Sequence, residues 1–170
     1  MHKKIILTLG LLSIITLIFA SLWQLPYSPA TWFDEGINLG IVKSFLEKGE
    51  YSLQIAPDKF VETRAFLITT NYPVLFPITG SVKLFGYDLL ASRIPMVIFM
   101  WTFTLAVYIL TKRLYGRENA IMTVALIASF TPFYGNGKAV LGEIPGLLYF
   151  VLGLLLLETT TWRLVIAGLL

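Results

Sequence analysis

Two groups of acidic residues stand out because each lies beside an apolar run. Asp34 and Glu35 form the first group, and Glu143 lies among apolar neighbours in the second. A carboxylate can act as a general base, and an ionisable side chain inside a membrane span is costly and usually functional. Lys138 precedes Glu143 in the same stretch and could contact a phosphate group. These residues are therefore the first candidates for chemistry.

Each candidate also has a purely structural interpretation. Thr31 and Asp34 have the spacing of a helix capping box, and acids in a first helical turn stabilise the helix dipole. Glu143 could simply stand at the mouth of a helix. Lys138 and Arg93 could be interfacial side chains whose charged ends reach the membrane surface. The residues alone leave both interpretations open.

The composition indicates an integral membrane protein. Apolar residues make up 56% of the chain and charged residues 14%, whereas soluble domains have about 45–50% and about 25%. The net charge of +3 comes from short clusters beside apolar runs, which favours membrane orientation over nucleic-acid binding. The chain has no cysteine, and its single histidine, His2, lies near the amino terminus. Thiol catalysis, disulfides and a histidine base are excluded within these residues.

We predict an all-α, multi-span transmembrane protein of the cell membrane. The predicted spans are residues 5–22, 94–110, 119–133 and 139–157, and a fifth begins at residue 164 without room to finish. Residues 1–170 are therefore expected to be the N-terminal part of a longer transmembrane domain. His2, Lys3 and Lys4 favour a cytosolic amino terminus. A signal peptide has the same pattern, but Ile18 does not suit the position third before a cut.

Residues 23–93 are predicted to form a large extracytoplasmic loop that carries interfacial helices. Thr31–Lys48 is predicted as one such helix, ended by Gly49, and Pro73–Phe85 as a shorter one. The apolar stripe of the first helix consists of Ile37, Ile41, Val42, Phe45 and Leu46.

The predicted topology places the two acidic groups on one face of the membrane. With the amino terminus inside, the loop bearing Asp34 lies outside, and so does a turn at Gly135–Gly137 that leads to Glu143. If the two acids share a site, we expect their carboxylates to lie on the order of 10 Å apart.

A series of short motifs runs along nearly the whole chain. They are Thr31–Gly36, Glu47–Tyr51, Thr69–Pro77, Lys83–Gly86, Ala91–Pro95, Tyr115–Ala120 and Gly137–Pro145. Together, and in this order, they resemble the GT-C membrane glycosyltransferases. The most similar branch is that of the dolichyl-phosphate-mannose protein mannosyltransferases and the bacterial aminoarabinose transferases. Two positions depart from that pattern, because Glu35 stands where Asp is frequent and Lys138 where Arg is frequent.

The resemblance implies transfer of a sugar, with inversion, from a polyprenyl-phosphate-linked donor to an acceptor outside the cytosol. The acceptor could be a lipid, a glycan or a protein. Some members of this family use a divalent cation, for which Glu62 is a loose candidate ligand, so the cofactor stays open. The implied catalytic residues are Asp34 and Glu143, and the implied substrate-binding residues are Glu35, Lys138, Arg93, Asn71 and Tyr72.

Two other classes of function stay open at this point. The chain could belong to an inactive or truncated relative, or to a membrane transport or scaffold subunit. Transporters tend to place ionisable groups near the membrane midplane on broken helices, whereas these acids cluster at one face. Asn71 and Tyr72, which precede Pro73, could equally be ordinary turn residues.

Overall fold

The computed structural model describes residues 2–62, 70 and 72–157. The start of the predicted fifth span at residue 164 and the candidate Asn71 lie outside the described residues, as does the side chain of Glu62. The elements in the described part are α1 (His2–Leu22), α2 (Phe33–Lys48), β1 (Ser52–Ala56), β2 (Lys59–Glu62), α3 (Tyr72–Phe85), α4 (Leu89–Tyr115), α5 (Arg117–Ser129), α6 (Thr131–Lys138) and α7 (Glu143–Leu156).

The predicted all-α membrane fold is confirmed. Among the described residues, two helical stretches are long and apolar enough to cross a bilayer: Lys4–Leu22 in α1 and Leu89–Tyr115, which is α4. Helices α6 and α7 would together count as a third, broken span, although the chain bends by 103° between them. Helix α5 has 13 residues, which at 1.5 Å per residue gives about 20 Å and leaves it short of the roughly 30 Å hydrocarbon core.

Helix α4 continues through Pro95, which stands inside it. Proline cannot donate to the carbonyl four residues earlier, so the carbonyl of Ala91 loses its helical partner. The Ser81 hydroxyl of α3 donates to that carbonyl at 2.6 Å. The bond replaces the missing helical one and fastens α3 to the first turn of α4.

Helix α2 begins two residues later than predicted. Trp32 is the N-cap in an extended conformation, it makes no side-chain capping bond, and its carbonyl accepts from the Gly36 amide at 3.0 Å. The capping-box interpretation of Thr31 and Asp34 is therefore wrong, because the N-cap is Trp32 rather than Thr31. The predicted end is confirmed: Gly49 has φ 77°, the left-handed conformation that glycine adopts most readily.

The buried face of α2 is more polar than the predicted stripe. Glu35, Asn38 and Ser44 are buried together with Leu39, Ile41 and Val42, whereas Leu46 of the predicted stripe is 37% exposed. The hairpin β1–β2, which the sequence did not predict, packs beside α2 with antiparallel register Ser52↔Glu62. Protein therefore covers the face of α2 that carries Glu35, Asn38 and Ser44.

The segment from residue 117 to residue 156 differs most from the predicted spans. The third span, 119–133, is broken, because α5 stops at Ser129 and α6 starts at Thr131. The predicted turn at Gly135–Gly137 is helical, since both glycines lie in α6. The turn comes instead at residues 139–142, so that α7 starts at Glu143 rather than at Ala139.

Two buried clusters hold these elements together. The first joins α2, α3 and α4 and includes Ile41, Ile78, Met96 and Val140. The second joins α1, α4, α5, α6 and α7 and consists of Leu17, Met100, Ala128, Phe133, Tyr134 and Ile144. Val140, in the connection between α6 and α7, thereby belongs to the core beneath α2.

Tyr87 fixes the loop between α3 and α4 to helix α2. Its hydroxyl donates to the Leu39 carbonyl at 3.0 Å. Burial, and then the negative charge of Glu47, raise the pKa of the Tyr87 phenol above its usual value. The phenol therefore stays neutral and able to donate well above neutral pH.

Candidate active site

Asp34 lies in the first turn of α2 with its side chain exposed. It lines a pocket of about 340 Å³, here called the acid pocket. The other residues that line it are Pro29, Ala30, Trp32, Gly135, Asn136, Ala139, Leu141 and Glu143. One wall therefore comes from the chain that leads into α2, and the other from α6 and the connection to α7.

Glu143 is the second carboxylate of the acid pocket. It is the first residue of α7 and is exposed, so the expectation that it lies a turn deep in an apolar helix is wrong. The helix starts there because Ala139 is extended and because Pro145 suits a first turn, where its missing N–H has no helical acceptor. The acid pocket thus brings Asp34 and Glu143 together at two helix N-termini, where negative charge is stabilised.

Glu35 faces the protein interior and binds Arg93 through two parallel hydrogen bonds. Arg93 Nε donates to Oε1 at 2.8 Å and Nη2 donates to Oε2 at 2.7 Å, and neither side chain is exposed. Arg93 also donates to the carbonyls of Leu25 at 2.9 Å and Pro29 at 3.0 Å. The pair joins the second turn of α4, the start of α2 and the segment that leads into α2.

The same Glu35 carboxylate fixes the connection between α6 and α7. Its Oε1 accepts from the Val140 amide at 3.0 Å, and Asn38 Nδ2 donates to the Val140 carbonyl at 2.8 Å. Asn38 also donates to the Thr70 hydroxyl at 3.2 Å. Glu35 and Asn38 lie three residues apart on one face of α2. These two side chains of α2 therefore fix the Val140 peptide, and with it the position of Glu143 relative to Asp34.

Lys138 ends α6 and is only 5% exposed. It is buried instead of reaching the membrane surface, so the interfacial interpretation of this residue is wrong. Its Nζ donates to the carbonyls of Trp23 at 3.0 Å and Ala20 at 3.4 Å. These carbonyls are at the end of α1, where helical carbonyls lack partners and a cation is favourable.

Tyr72 lies apart from the two acids, at the start of α3. Its ring meets Tyr51 edge-on at 5.1 Å, and Tyr51 stacks on Phe45 at 4.2 Å. The ring therefore belongs to an aromatic group beside the hairpin. Substrate binding by Tyr72 stays a prediction, as it does for Asn71.

A metal centre is not formed by the side chains described in residues 4–61 and 72–157. No group of three or more acids, histidines or cysteines comes close enough there to hold an ion. Asp34 and Glu143 supply two carboxylates, and a divalent cation held by them would need waters or substrate oxygens to complete its ligands.

Sequence reasoning missed Asn38 and the peptide of Val140. Asn38 could have been found, because it is a polar residue three positions after Glu35 and thus on the same face of the helix. The role of the Val140 peptide could not be predicted, because every residue has a backbone amide and carbonyl and the residue type does not show which of them will be bonded.

Comparison with known proteins gives one family match. The family model described as dolichyl-phosphate-mannose-protein mannosyltransferase matches residues 73–167, which is more than half of the chain. Arg93, Lys138 and Glu143 lie within the matched range, and Asp34 and Glu35 precede it. No curated protein and no solved structure shows a match to the chain.

Proposed function

The chain belongs to the dolichyl-phosphate-mannose-protein mannosyltransferase family, and from this membership we propose the reaction of the full-length protein. It is a multi-pass enzyme of the cell membrane that moves a sugar from a polyprenyl-phosphate-linked donor to an acceptor hydroxyl on the extracytoplasmic face. The anomeric configuration inverts. The family membership itself implies a glycosyltransferase that uses such a donor; the face, the stereochemistry and the residues are the proposal.

The observation that carries the proposal is the pair of carboxylates in the acid pocket. Asp34 takes the proton of the acceptor hydroxyl as that oxygen attacks the anomeric carbon. Glu143, on the opposite wall, binds a hydroxyl of the sugar or of the acceptor and so orients the attack. The volume of about 340 Å³ is of the size found for small-molecule sites.

Glu35 and Arg93 act as positioning residues in this proposal. Their polar atoms are already bonded to each other and to the backbone at Leu25, Pro29 and Val140. Pro29 is itself a wall residue of the acid pocket. The pair therefore fixes both walls. Because these polar atoms already have partners within the protein, we assign the two residues to supporting the pocket rather than to contacting the donor.

The experiment is sugar transfer by membranes that contain the full-length protein, with a labelled polyprenyl-phosphate mannose as the first donor. Asp34→Asn keeps the size of the side chain and removes its basicity, so transfer should fall by about a hundredfold or more while expression stays normal. Asp58→Asn is the matched control, because Asp58 is exposed in the β1–β2 turn at φ 56°, a conformation that Asn also adopts.

Near-normal transfer by Asp34→Asn would reject Asp34 as the base. A protein that transfers no sugar from any polyprenyl-phosphate donor, although it is folded and full-length, would favour an inactive relative or a transport or scaffold role. Proton NMR of the product's anomeric centre reports whether the configuration has inverted.

A further inference from the structure

A cavity of about 270 Å³ lies between α1, α4 and α5 and is here called the apolar cavity. Two polar groups on its wall are bonded within the protein. The Trp101 indole N–H donates to the Ser21 hydroxyl at 2.9 Å, and the Thr104 hydroxyl donates to the Met100 carbonyl at 2.9 Å. Most of the surface is therefore hydrocarbon, including Ile14 and Leu17 of α1, Leu105 of α4 and Val124 of α5.

A second cavity, of about 360 Å³, lies where α1 and α5 begin. It is here called the arginine pocket, and it is lined by Ile6, Leu7, Arg117, Glu118 and Ile121. Ile121 lines both cavities, so the two adjoin. Together they form one groove along α1, which is here called the α1–α5 groove.

The end of the groove at the arginine pocket carries an excess of positive charge. Arg117 is exposed, Lys112 and Arg113 are in the last turn of α4, and Lys4 is two residues before the pocket in α1. Glu118, the acid on the pocket wall, already has an interaction within the chain, as does Arg113. An anionic group is therefore favoured at this end, and basic pockets between membrane helices are typical sites for lipid head groups.

The length of the groove matches one leaflet of a bilayer. Along α1 it reaches from Ile6 to Leu17, which at 1.5 Å per residue is about 16 Å. Half of the roughly 30 Å hydrocarbon core is about 15 Å. A helix of that length, about 10 Å across, would fill more than about 1,000 Å³, so the apolar cavity is too small for a further span. A single acyl chain is the occupant that fits.

The groove opens on the opposite side of the membrane from the acid pocket. The end of α1 lies beside the acid pocket, because the Trp23 carbonyl accepts from Lys138, and the next residue, Ala139, lines that pocket. The arginine pocket is at the other end of α1. The helix from Leu7 to Leu22 measures about 22 Å at 1.5 Å per residue. In the predicted orientation the groove faces the cytosolic leaflet, which carries anionic lipids.

We propose that the α1–α5 groove binds one anionic phospholipid of that leaflet, with its phosphate at Arg117 and an acyl chain in the apolar cavity. Tyr108 lines the cavity one turn before Lys112 and brings a hydroxyl donor towards the head group. The lipid completes the packing around α5, which has only 13 residues. The inference goes beyond the proposed function and does not depend on it.

The test measures binding of phosphatidylglycerol to the purified full-length protein in detergent, by native mass spectrometry and by the rise in the temperature of thermal unfolding. Arg117→Gln removes one positive charge at an exposed position, and it should weaken binding by about fivefold or more. Lys59→Gln removes an exposed positive charge from the β1–β2 hairpin, outside the groove, and should bind like the wild type. Equal binding by the two variants would overturn the proposal.

Gly10 provides an independent test of the apolar half of the groove. It lines the apolar cavity, and a Cβ there would just contact Ile121 at 3.4 Å. Gly10→Ala should therefore bind phosphatidylglycerol like the wild type. Gly10→Leu fills the cavity and should weaken binding by about fivefold or more, because the acyl chain loses its packing contacts. Both changes favour a helix over glycine. If Gly10→Leu bound as well as Gly10→Ala, the acyl chain would not lie in the cavity and the proposal would be wrong.

Competition separates the head group from the chains. Phosphatidylcholine has the same chains without the net charge, and glycerol phosphate has the charge without the chains, so each should displace phosphatidylglycerol poorly. Equal displacement by phosphatidylcholine would mean that the basic residues do not select the head group, and equal displacement by glycerol phosphate would mean that the site binds free phosphate. Either result would reject the phospholipid site. Asp34→Asn should lose sugar transfer and still bind phosphatidylglycerol, so the two proposals fail separately.

Discussion

Glu35 and Arg93 neutralise each other where neither side chain is exposed. Glu35→Gln would leave the guanidinium buried without its counter-charge, and it should lower the free energy of unfolding by about 3–5 kcal/mol. The double variant Glu35→Gln/Arg93→Gln should be less destabilised than the sum of the two single variants, because the second change removes the uncompensated charge. Thermal unfolding of the purified protein in detergent measures all three. Additive effects would show that the two charges are not coupled.

Because Glu35 is buried, a variant of it is not a suitable control for Asp34. The two acids are adjacent, but Asp34 is exposed and lines the acid pocket, whereas Glu35 is bonded within the core. A change at Glu35 is therefore expected to act through stability as well as through the site. The exposed Asp58 is the better control.

Glu143 offers a second prediction at the scale of the residue. Glu143→Gln keeps the size and most of the hydrogen-bonding capacity of the side chain. Because the residue is exposed, the free energy of unfolding should change by less than about 0.5 kcal/mol, as measured by thermal unfolding. Transfer should still fall by about tenfold or more if Glu143 orients the sugar or acceptor. Glu50→Gln, at an exposed acid after α2, is the matched control. Unchanged transfer by Glu143→Gln would reduce Glu143 to a helix-terminal charge.

Helix α6 approaches α4 closely at Gly137, where any larger residue would press on Met100. A Cβ at Gly137 would meet Met100 Sδ at 2.7 Å and Cγ at 2.8 Å, whereas a Cβ at Gly135 would meet nothing within 4 Å. Met100 is fully buried in the second cluster, so it has little space to move. Gly137→Ala should lower stability by about 1–3 kcal/mol through overpacking.

Gly135→Ala is the control within the same helix, and it should be neutral or slightly stabilising because Ala favours a helix over Gly. Thermal unfolding compares the two variants directly. Equal stability of Gly137→Ala and Gly135→Ala would mean that α6 can move away from α4 without loss. Because Lys138 follows Gly137, such a movement would also shift Lys138 relative to the Trp23 carbonyl that its Nζ contacts.

The elements with local signals were predicted well, and those without them were not. Continuous apolar runs gave α1 and α4, and Gly49 gave the end of α2. The start of α7 was misplaced because the Ala139–Leu141 stretch is as apolar as a helix, yet Glu35 and Asn38 hold the Val140 peptide outside one. Pairings across 105 and 102 residues have no local pattern in a single sequence.

At the scale of the whole molecule, the ends of four helices meet around the site. The end of α1 binds Lys138, the starts of α2 and α4 share the Glu35–Arg93 pair, and the segment before α7 is held by Glu35 and Asn38. A sequence can indicate which residue types are present, but which ends meet depends on how all the helices pack. Asp34 and Glu143 line one pocket, as is expected if both lie on one face of the membrane, whereas the alternating topology and a carboxylate separation on the order of 10 Å stay predictions.

The membrane orientation of the site can be tested with single cysteines, because the chain has no cysteine of its own. If the amino terminus is cytosolic, the site lies outside and the connection between α4 and α5 lies inside. Gln54→Cys and Asn136→Cys are suitable outer positions and Arg117→Cys is a suitable inner one, because all three residues are exposed. An impermeant maleimide on intact cells should label the first two, and Arg117→Cys only after permeabilisation. Labelling of Arg117→Cys in intact cells would reverse the orientation and move the acid pocket to the cytosolic face, where an extracytoplasmic acceptor could not reach it.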